Sequence, residues 1–205
     1  MISKTPTNID ALRRQICCLR QALTPDEQAA ASAAIVQRIR QLPLFEQALH
    51  IAVYSAIRGE VDLQSLWHDA PAAKHWYLPV IVPGPERAMR FVRHEAAAVL
   101  RKSALGIPEP DAANGVVRAP HGLDLVLAPL VAFDADGHRI GMGAGYYDRA
   151  FAFLRNAPPP EQPRLIGVAY EFQRVERIDT QPWDVPLWGV VTERTLYGGL
   201  VKGDE

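Results

Sequence analysis

The sequence predicts an α/β protein, a single three-layer α/β/α domain over residues 1–205 built on a mostly parallel sheet, and three observations carry that expectation. Short apolar runs at 51–54, 76–81, 89–93, 125–128, 165–170 and 189–191 read as strands, and several are hydrophobic throughout, as strands covered on both faces are. Stretches with helical spacing precede and separate them. The composition, 48% hydrophobic and 22% charged, is that of one ordinary globular core, and no internal repeat divides it.

The elements follow in order. Ile9, Leu12, Ile16, Leu19 and Leu23 recur at helical spacing with Arg13, Arg14 and Arg20 on the other faces, so the chain opens on an amphipathic helix with a polar side rich in arginine. Thr24-Pro25-Asp26-Glu27 then offers an N-cap, a proline at the first helical position and an acid placed for a capping box. The helix it starts presents Ile35, Val36, Ile39 and Leu42, ends before Pro43, and should form a hairpin with the first helix lying on the sheet. Shorter helices are expected at 62–68, with Leu63, Leu66 and Trp67, and at 146–155, with Tyr147, Phe151 and Leu154. Asn156-Ala157-Pro158-Pro159-Pro160 is a rigid surface connector too brief to separate domains, and the tail after Gly198 should fray.

Bulk properties exclude several classes. A net charge of -1 leaves no basic field to hold a nucleic acid or an anionic membrane. The longest nearly uninterrupted apolar run, 123–133, contains Asp124 and Pro129 and falls short of the ~20 residues of a membrane span. The first residues lack the apolar core of a signal peptide, and the adjacent Cys17-Cys18 pair points apart on a helix, which fits a reducing, cytoplasmic setting and not zinc. The six histidines show no paired metal spacing and no nucleophile motif, and most are expected at the surface.

Chemistry concentrates in Arg139-Ile140-Gly141-Met142-Gly143-Ala144-Gly145-Tyr146-Tyr147-Asp148-Arg149. Strictly alternating glycines match neither a P-loop nor a dinucleotide fingerprint, so spacing alone leaves a flexible turn and an anion cradle both open. Arg139 and Arg149 favour the cradle, since guanidinium groups pair with phosphate oxygens. Asp148, in the first turn of the helix that follows, either offsets the helix dipole or holds a divalent cation. Asp184, between Trp183 and Val185-Pro186, is either a turn acid or a ligand, and Glu60, after Arg58-Gly59, is either a solvated loop acid or a ligand acceptor. Trp76, Phe91 and Trp183 are expected as buried packing, with an aromatic site wall as the alternative.

The glycine run, preceded by a hydrophobic strand and by Phe133-Asp134 and Gly137, resembles the signature of the 5-formyltetrahydrofolate cyclo-ligase (5,10-methenyltetrahydrofolate synthetase) family. Leu12-Arg13, Tyr54, Gly59-Glu60-Val61-Asp62, Leu78-Pro79-Val80, Gly106-Ile107-Pro108-Glu109-Pro110, Gln173, Asp184-Val185-Pro186 and Thr192-Glu193 agree in the same order, over residues 12–193. The resemblance implies ATP- and Mg-dependent cyclisation of 5-formyltetrahydrofolate to 5,10-methenyltetrahydrofolate with release of ADP and phosphate. It assigns ATP to Arg13 and to Arg139, Ile140, Gly141, Met142, Gly143, Ala144, Gly145, Tyr146 and Tyr147. Mg²⁺ goes to Asp148 and Asp184, the folate to Ser55, Glu60 and Tyr147, and the catalytic roles to Arg139, Tyr147 and Asp148. Two positions depart from the pattern: Ile9 stands where the family has a lysine, leaving Arg14, Lys4 or Arg139 to supply that charge, and Ala144 replaces a glycine or basic residue. A cytoplasmic monomer is expected. The alternatives are a noncatalytic nucleotide- or sugar-phosphate-binding module and a phosphosugar isomerase.

Overall fold

Local chemistry sets the helix ends. In the computed structural model, which describes residues 8–68, 73–82, 84, 88–95, 98–103, 106–111, 115–156 and 163–200, helix α1 (Ile9–Ala22) starts where the Asn8 side chain accepts from the Ala11 amide at 3.0 Å. Helix α2 (Pro25–Arg40) starts in the expected capping box: the Glu27 amide donates to Thr24 Oγ1 at 3.2 Å, and the Thr24 amide to Glu27 Oε2 at 2.8 Å. Pro43 both follows that helix and opens a further turn, α3 (Pro43–Gln47), which the sequence pattern did not announce.

Strand β1 (His50–Ala52) leads through α4 (Gln64–His68) to β2 (His75–Ile81), β3 (Met89–His94), the β4 (Arg101–Lys102) and β5 (Pro108–Glu109) hairpin, and β6 (Val117–Arg118). Then come β7 (Leu125–Pro129), the β8 (Ala132–Phe133) and β9 (Arg139–Ile140) hairpin, α5 (Tyr146–Ala150), β10 (Arg164–Val168), β11 (Gly189–Val191) and β12 (Leu196–Gly198). Eight strands form one sheet in the order β12-β11-β10-β7-β1-β2-β3-β6. The pairings from β11 through β2 are parallel and those at both edges antiparallel, so the sheet is mixed but parallel at its centre.

Successive residues of the central strands feed opposite layers. Ile51, Leu125 and Leu127 join α2, α3 and α4 residues in one core, whereas Ala52, Val126 and Leu165 join Phe151 in the other. That two-sided burial is why these strands read as continuous apolar runs. The helix expected over 146–155 breaks at Phe151, whose φ of -111° leaves the α region while its ring, fully buried, lies 5.5 Å from that of Phe91; a 3-10 turn (Ala152–Asn156) continues from there. Residues 157–160 of the proline connector, and the tail beyond residue 200, lie outside the described residues.

Two expectations are corrected. Helix α1 does not share the main sheet with α2; Leu12 and Ile16 pack on Val131, Ala132, Ile140, Val175 and Ile178, a third core over the β8–β9 hairpin. Its apolar stripe is also reassigned: Ile9 and Leu19 are 44% and 41% exposed, and Arg20, at 2%, occupies the buried position one turn after Ile16. The histidines are mostly not surface residues either, for only His68 and His121 of the six are exposed and His94 is buried.

The β8–β9 hairpin is fixed by one buried acid. Asp134 Oδ1 accepts from the amides of Asp136 and His138, and Oδ2 accepts from His138 Nδ1 and the Ile178 amide, all between 2.9 and 3.1 Å. Gly137, at φ +89°, sits where a Cβ would lie 2.7 Å from the Leu187 carbonyl oxygen. Asp134, Asp136 and His138 bring their ligand atoms within 4.8 Å of one another, but with both Asp134 oxygens taken by N–H donors the grouping holds a turn.

Candidate functional site

A cavity of about 660 Å³ opens at the carboxyl edge of the parallel strands. It lies over the junction of β1 and β7, where the chain turns one way to β2 and the other way to β10, the position at which open α/β sheets hold ligands. Tyr54, Ser55 and Glu60 come from the segment after β1, Leu130 from the segment after β7, and Ile81 and Met89 from the facing ends of β2 and β3. Helix α1 closes one side with Ile9 and Arg13, and the glycine run with Asp184 closes another.

Every residue to which the resemblance gives a role reaches this wall: Arg13, Ser55, Glu60, the run from Arg139 through Asp148, and Asp184 all line it. Their partners show what each is able to do. Gly143 and Gly145 take φ of +91° and +67°, left-handed conformations that glycine adopts without a Cβ penalty. Arg13 Nε donates to the Gly141 carbonyl at 2.9 Å, its Nη1 bonds Asp10 at 2.7 Å, and a Cβ on Gly143 would lie 3.1 Å from the guanidinium. The loop therefore rests on an arginine. Arg149 lies over the Tyr146 ring at 5.4 Å and donates to the Ala144 carbonyl at 2.6 Å.

Arg139 is committed inward. Its guanidinium pairs with Asp148 Oδ1 at 2.5 Å and bonds the Val185 carbonyl, and the Val185 amide returns a hydrogen bond to the same Asp148 oxygen at 3.2 Å. This three-way contact ties the loop carrying Asp184 to the helix carrying Asp148, across 36 residues of sequence, and sets both acids on one wall. Asp184 Oδ2 accepts from the Gln181 amide at 2.8 Å. Each acid thus spends one oxygen on the protein, and its second has no hydrogen-bond partner among the described residues. Two carboxylates with one open oxygen apiece suit Mg²⁺, which takes one or two protein carboxylates and fills its other positions with water and phosphate.

The opposite end of the cavity is apolar with acids set into it. Ser55 donates its hydroxyl to the Pro108 carbonyl at 2.7 Å, so its oxygen is left as an acceptor only. Glu60 accepts from the Ile57 amide at 3.2 Å and stands 3.5 Å from Arg20. Burial raises its pKa above the ordinary carboxylate range, opposed by Arg20, the Ile57 amide and Arg58 in that order. Tyr147 stacks on Phe151 at 6.2 Å and is pushed well above the usual phenol range, by burial first and then by the Glu60 charge, with Arg139 opposing; it remains a hydroxyl donor.

Sequence reasoning missed several contributors. Arg20 was read as part of a polar face, and only its place one turn beyond Ile16 signalled burial. Glu109 lines the cavity almost fully buried, with Oε1 lacking a partner among the described residues and its pKa raised by burial against hydrogen bonds from Ser103 and the Ile81 backbone. Arg155 also lines the cavity and reaches the Pro182 carbonyl at 3.5 Å. Trp76 and Phe91 are buried as expected, whereas Trp183 is 60% exposed on the cavity rim, because the flanking prolines hold it in a loop outside all three cores. Of the substitutes offered for the lysine missing at Ile9, Arg139 lines the cavity, Arg14 does not, and Lys4 lies outside the described residues.

Comparison with known proteins agrees with this geometry over most of the chain. The model of the 5-formyltetrahydrofolate cyclo-ligase family matches residues 7–193. The 5-formyltetrahydrofolate cyclo-ligase of Mycoplasma pneumoniae is 44% identical over 181 residues, 87% of this chain and 94% of the relative. That of Escherichia coli K12 is 35% identical over 182 residues, 87% of this chain and 96% of the relative. The NMR structure of Aquifex aeolicus 5,10-methenyltetrahydrofolate synthetase superposes with a TM-score of 0.79 at 32% identity, covering 96% of this chain and 95% of that one.

Proposed function

The chain belongs to the 5-formyltetrahydrofolate cyclo-ligase family and is an ATP-dependent ligase that converts 5-formyltetrahydrofolate to 5,10-methenyltetrahydrofolate, and we propose that the cavity at the carboxyl edge of its sheet is where the reaction runs. One observation supports the assignment of the site: a glycine-rich loop and an apolar, acid-lined pocket open on the same cavity. The chemistry needs that adjacency. A formamide oxygen leaves poorly, so the γ-phosphoryl group moves to it, N10 attacks the formyl carbon and loses its proton, and the oxygen departs as inorganic phosphate while ADP remains. No covalent nucleophile from the protein is required; the work is alignment and charge neutralisation.

The loop amides between Ile140 and Tyr147 and the Arg13 guanidinium bind the phosphates. Arg139 acts by holding Asp148 and the Asp184 loop in place, and Glu60, the Ser55 oxygen and the neutral Tyr147 hydroxyl take the polar edges of the folate. Asp148 and Asp184 hold Mg²⁺, which when bound neutralises charge on the phosphates. The protein acts as a cytoplasmic monomer, and Cys17 and Cys18, free in the structure, suit a reducing setting. Among the described residues no helix is long and apolar enough to cross a membrane.

The test is direct. Incubation with 5-formyltetrahydrofolate and Mg-ATP should produce the methenyl chromophore, and Asp148→Ala or Asp184→Ala should abolish magnesium-dependent turnover while the circular dichroism of the fold is kept. Full activity in either variant removes that acid from the mechanism.

A further inference from the structure

Helix α1 reaches both ends of the cavity. Arg13 supports the glycine loop, and Arg20, seven residues later, projects from nearly the same side of the helix about 10 Å further along its axis. Arg20 does not line the cavity. Its side chain is 2% exposed and stands behind Glu60, Nη1 to Oε1 at 3.5 Å, with Glu60 itself 12% exposed. Apart from a 3.5 Å contact to Cys17 Sγ, the guanidinium has little else to bond among the described residues, and its buried Nε has no partner among them. Its backbone grips the same loop: at Gly59, φ +74°, a Cβ would lie 2.8 Å from the Arg20 carbonyl oxygen. Gln28 Nε2 donates to the Glu60 carbonyl at 2.9 Å, so the first turn of α2 holds the loop as well.

We propose that Arg20 is a positioning residue for the folate half of the reaction, which from behind the cavity wall keeps the Glu60 carboxylate charged and aimed at the N–H donors of the pterin ring. This rests on Glu60 being the pterin acceptor. The physical need is plain, because a carboxylate buried to this degree tends to take up a proton, and a protonated carboxyl accepts fewer hydrogen bonds. Arg20 is the strongest opposing influence. The other groups facing Glu60 are Arg58 of its own loop and the phenols of Tyr54 and Tyr147, and the phenols carry no charge to replace it.

Steady-state kinetics on Arg20→Met, Arg20→Lys, Glu60→Gln and the Arg20→Met/Glu60→Gln double variant test the idea. Arg20→Met should raise KM for 5-formyltetrahydrofolate on the order of tenfold or more, with KM for ATP unchanged, and Arg20→Lys should recover much of the loss. The penalty in Arg20→Met should shrink as pH rises, since alkali ionises Glu60 without its partner. The double variant should bind folate no worse than Glu60→Gln, because Arg20 acts only through that carboxylate. If Arg20→Met proves too unstable to assay, the Arg20→Lys kinetics and the double variant, in which no charge is left unpaired, decide the matter. A normal folate KM in Arg20→Met beside an impaired Glu60→Gln, or additive losses in the double variant, overturns the role of Arg20 and leaves the ligase reading intact. A normal folate KM in Glu60→Gln, in an otherwise active enzyme, overturns Glu60 as the acceptor and Arg20 with it. A wild-type protein that forms no methenyl product overturns the broader reading.

Discussion

Gly141 and Gly143 are two residues apart and meet opposite constraints. A Cβ on Gly141 would enter open space, and its backbone is not left-handed, so Gly141→Ala should keep the wild-type melting temperature. Gly143 has φ +91°, and a Cβ there would lie 3.1 Å from the Arg13 guanidinium, so Gly143→Ala strains the loop and displaces the arginine; KM for ATP should rise severalfold while KM for folate holds. Equal behaviour of the two variants in ATP titrations would mean that the loop amides do not bind phosphate in this conformation. Ile9 is the other instructive residue. It lines the cavity at 44% exposure beside Arg13, where the resembled family carries a lysine, so Ile9→Lys should lower KM for ATP, by an amount that falls with added salt. Single residues of this kind were legible in the sequence because their chemistry is local: three spaced glycines and a missing lysine need no fold to be noticed. Their partners were not legible. Arg139 looked like a phosphate ligand, and nothing in the sequence announced that it also holds Asp148 and Val185, 9 and 46 residues away.

At the scale of elements, sequence and structure agree where near neighbours decide. The capping box of α2 is the clearest instance, and Thr24→Ala should cost about 1 kcal/mol, read as a lowered urea midpoint with an unchanged slope. The strands expected at 76–81 and 189–191 form within a residue of their expected bounds, because residues buried on both faces leave an apolar run in the sequence. The β4–β5 and β8–β9 hairpins and the edge strands β6 and β12 are two or three residues long and carry no period to detect. The destination of α1 was hidden for another reason. An amphipathic pattern states that one face is covered but not by what, and the β8–β9 hairpin that covers it lies more than a hundred residues further on.

For the whole molecule, two carboxyls buried in the cavity wall link stability to pH. Glu60 and Glu109 both titrate above the ordinary carboxylate range when folded, burial being the main cause in each. The folded state therefore binds protons more tightly than the unfolded chain, so the contribution of these groups is greatest in acid and declines as pH rises through their raised pKa values. On the proposed role of Glu60, folate binding runs the other way, since the ionised carboxylate is the better acceptor, and KM for folate should climb as pH falls toward the acid range. Glu109→Gln should flatten the decline in thermal stability between acid and neutral pH; an unaltered slope would show that Glu109 is ionised in the fold. By itself the sequence determined the class of sheet, the capped start of α2, the glycine loop and the family, because periodicity, capping and glycine spacing act over a few residues. Only the tertiary structure decided that Arg139 braces Asp148 against the Asp184 loop, that Arg20 stands behind Glu60, and that Glu109 joins the wall. Those are pairings of charges brought together by packing, and the cost of a buried charge is set by what surrounds it in space, which order along the chain does not record.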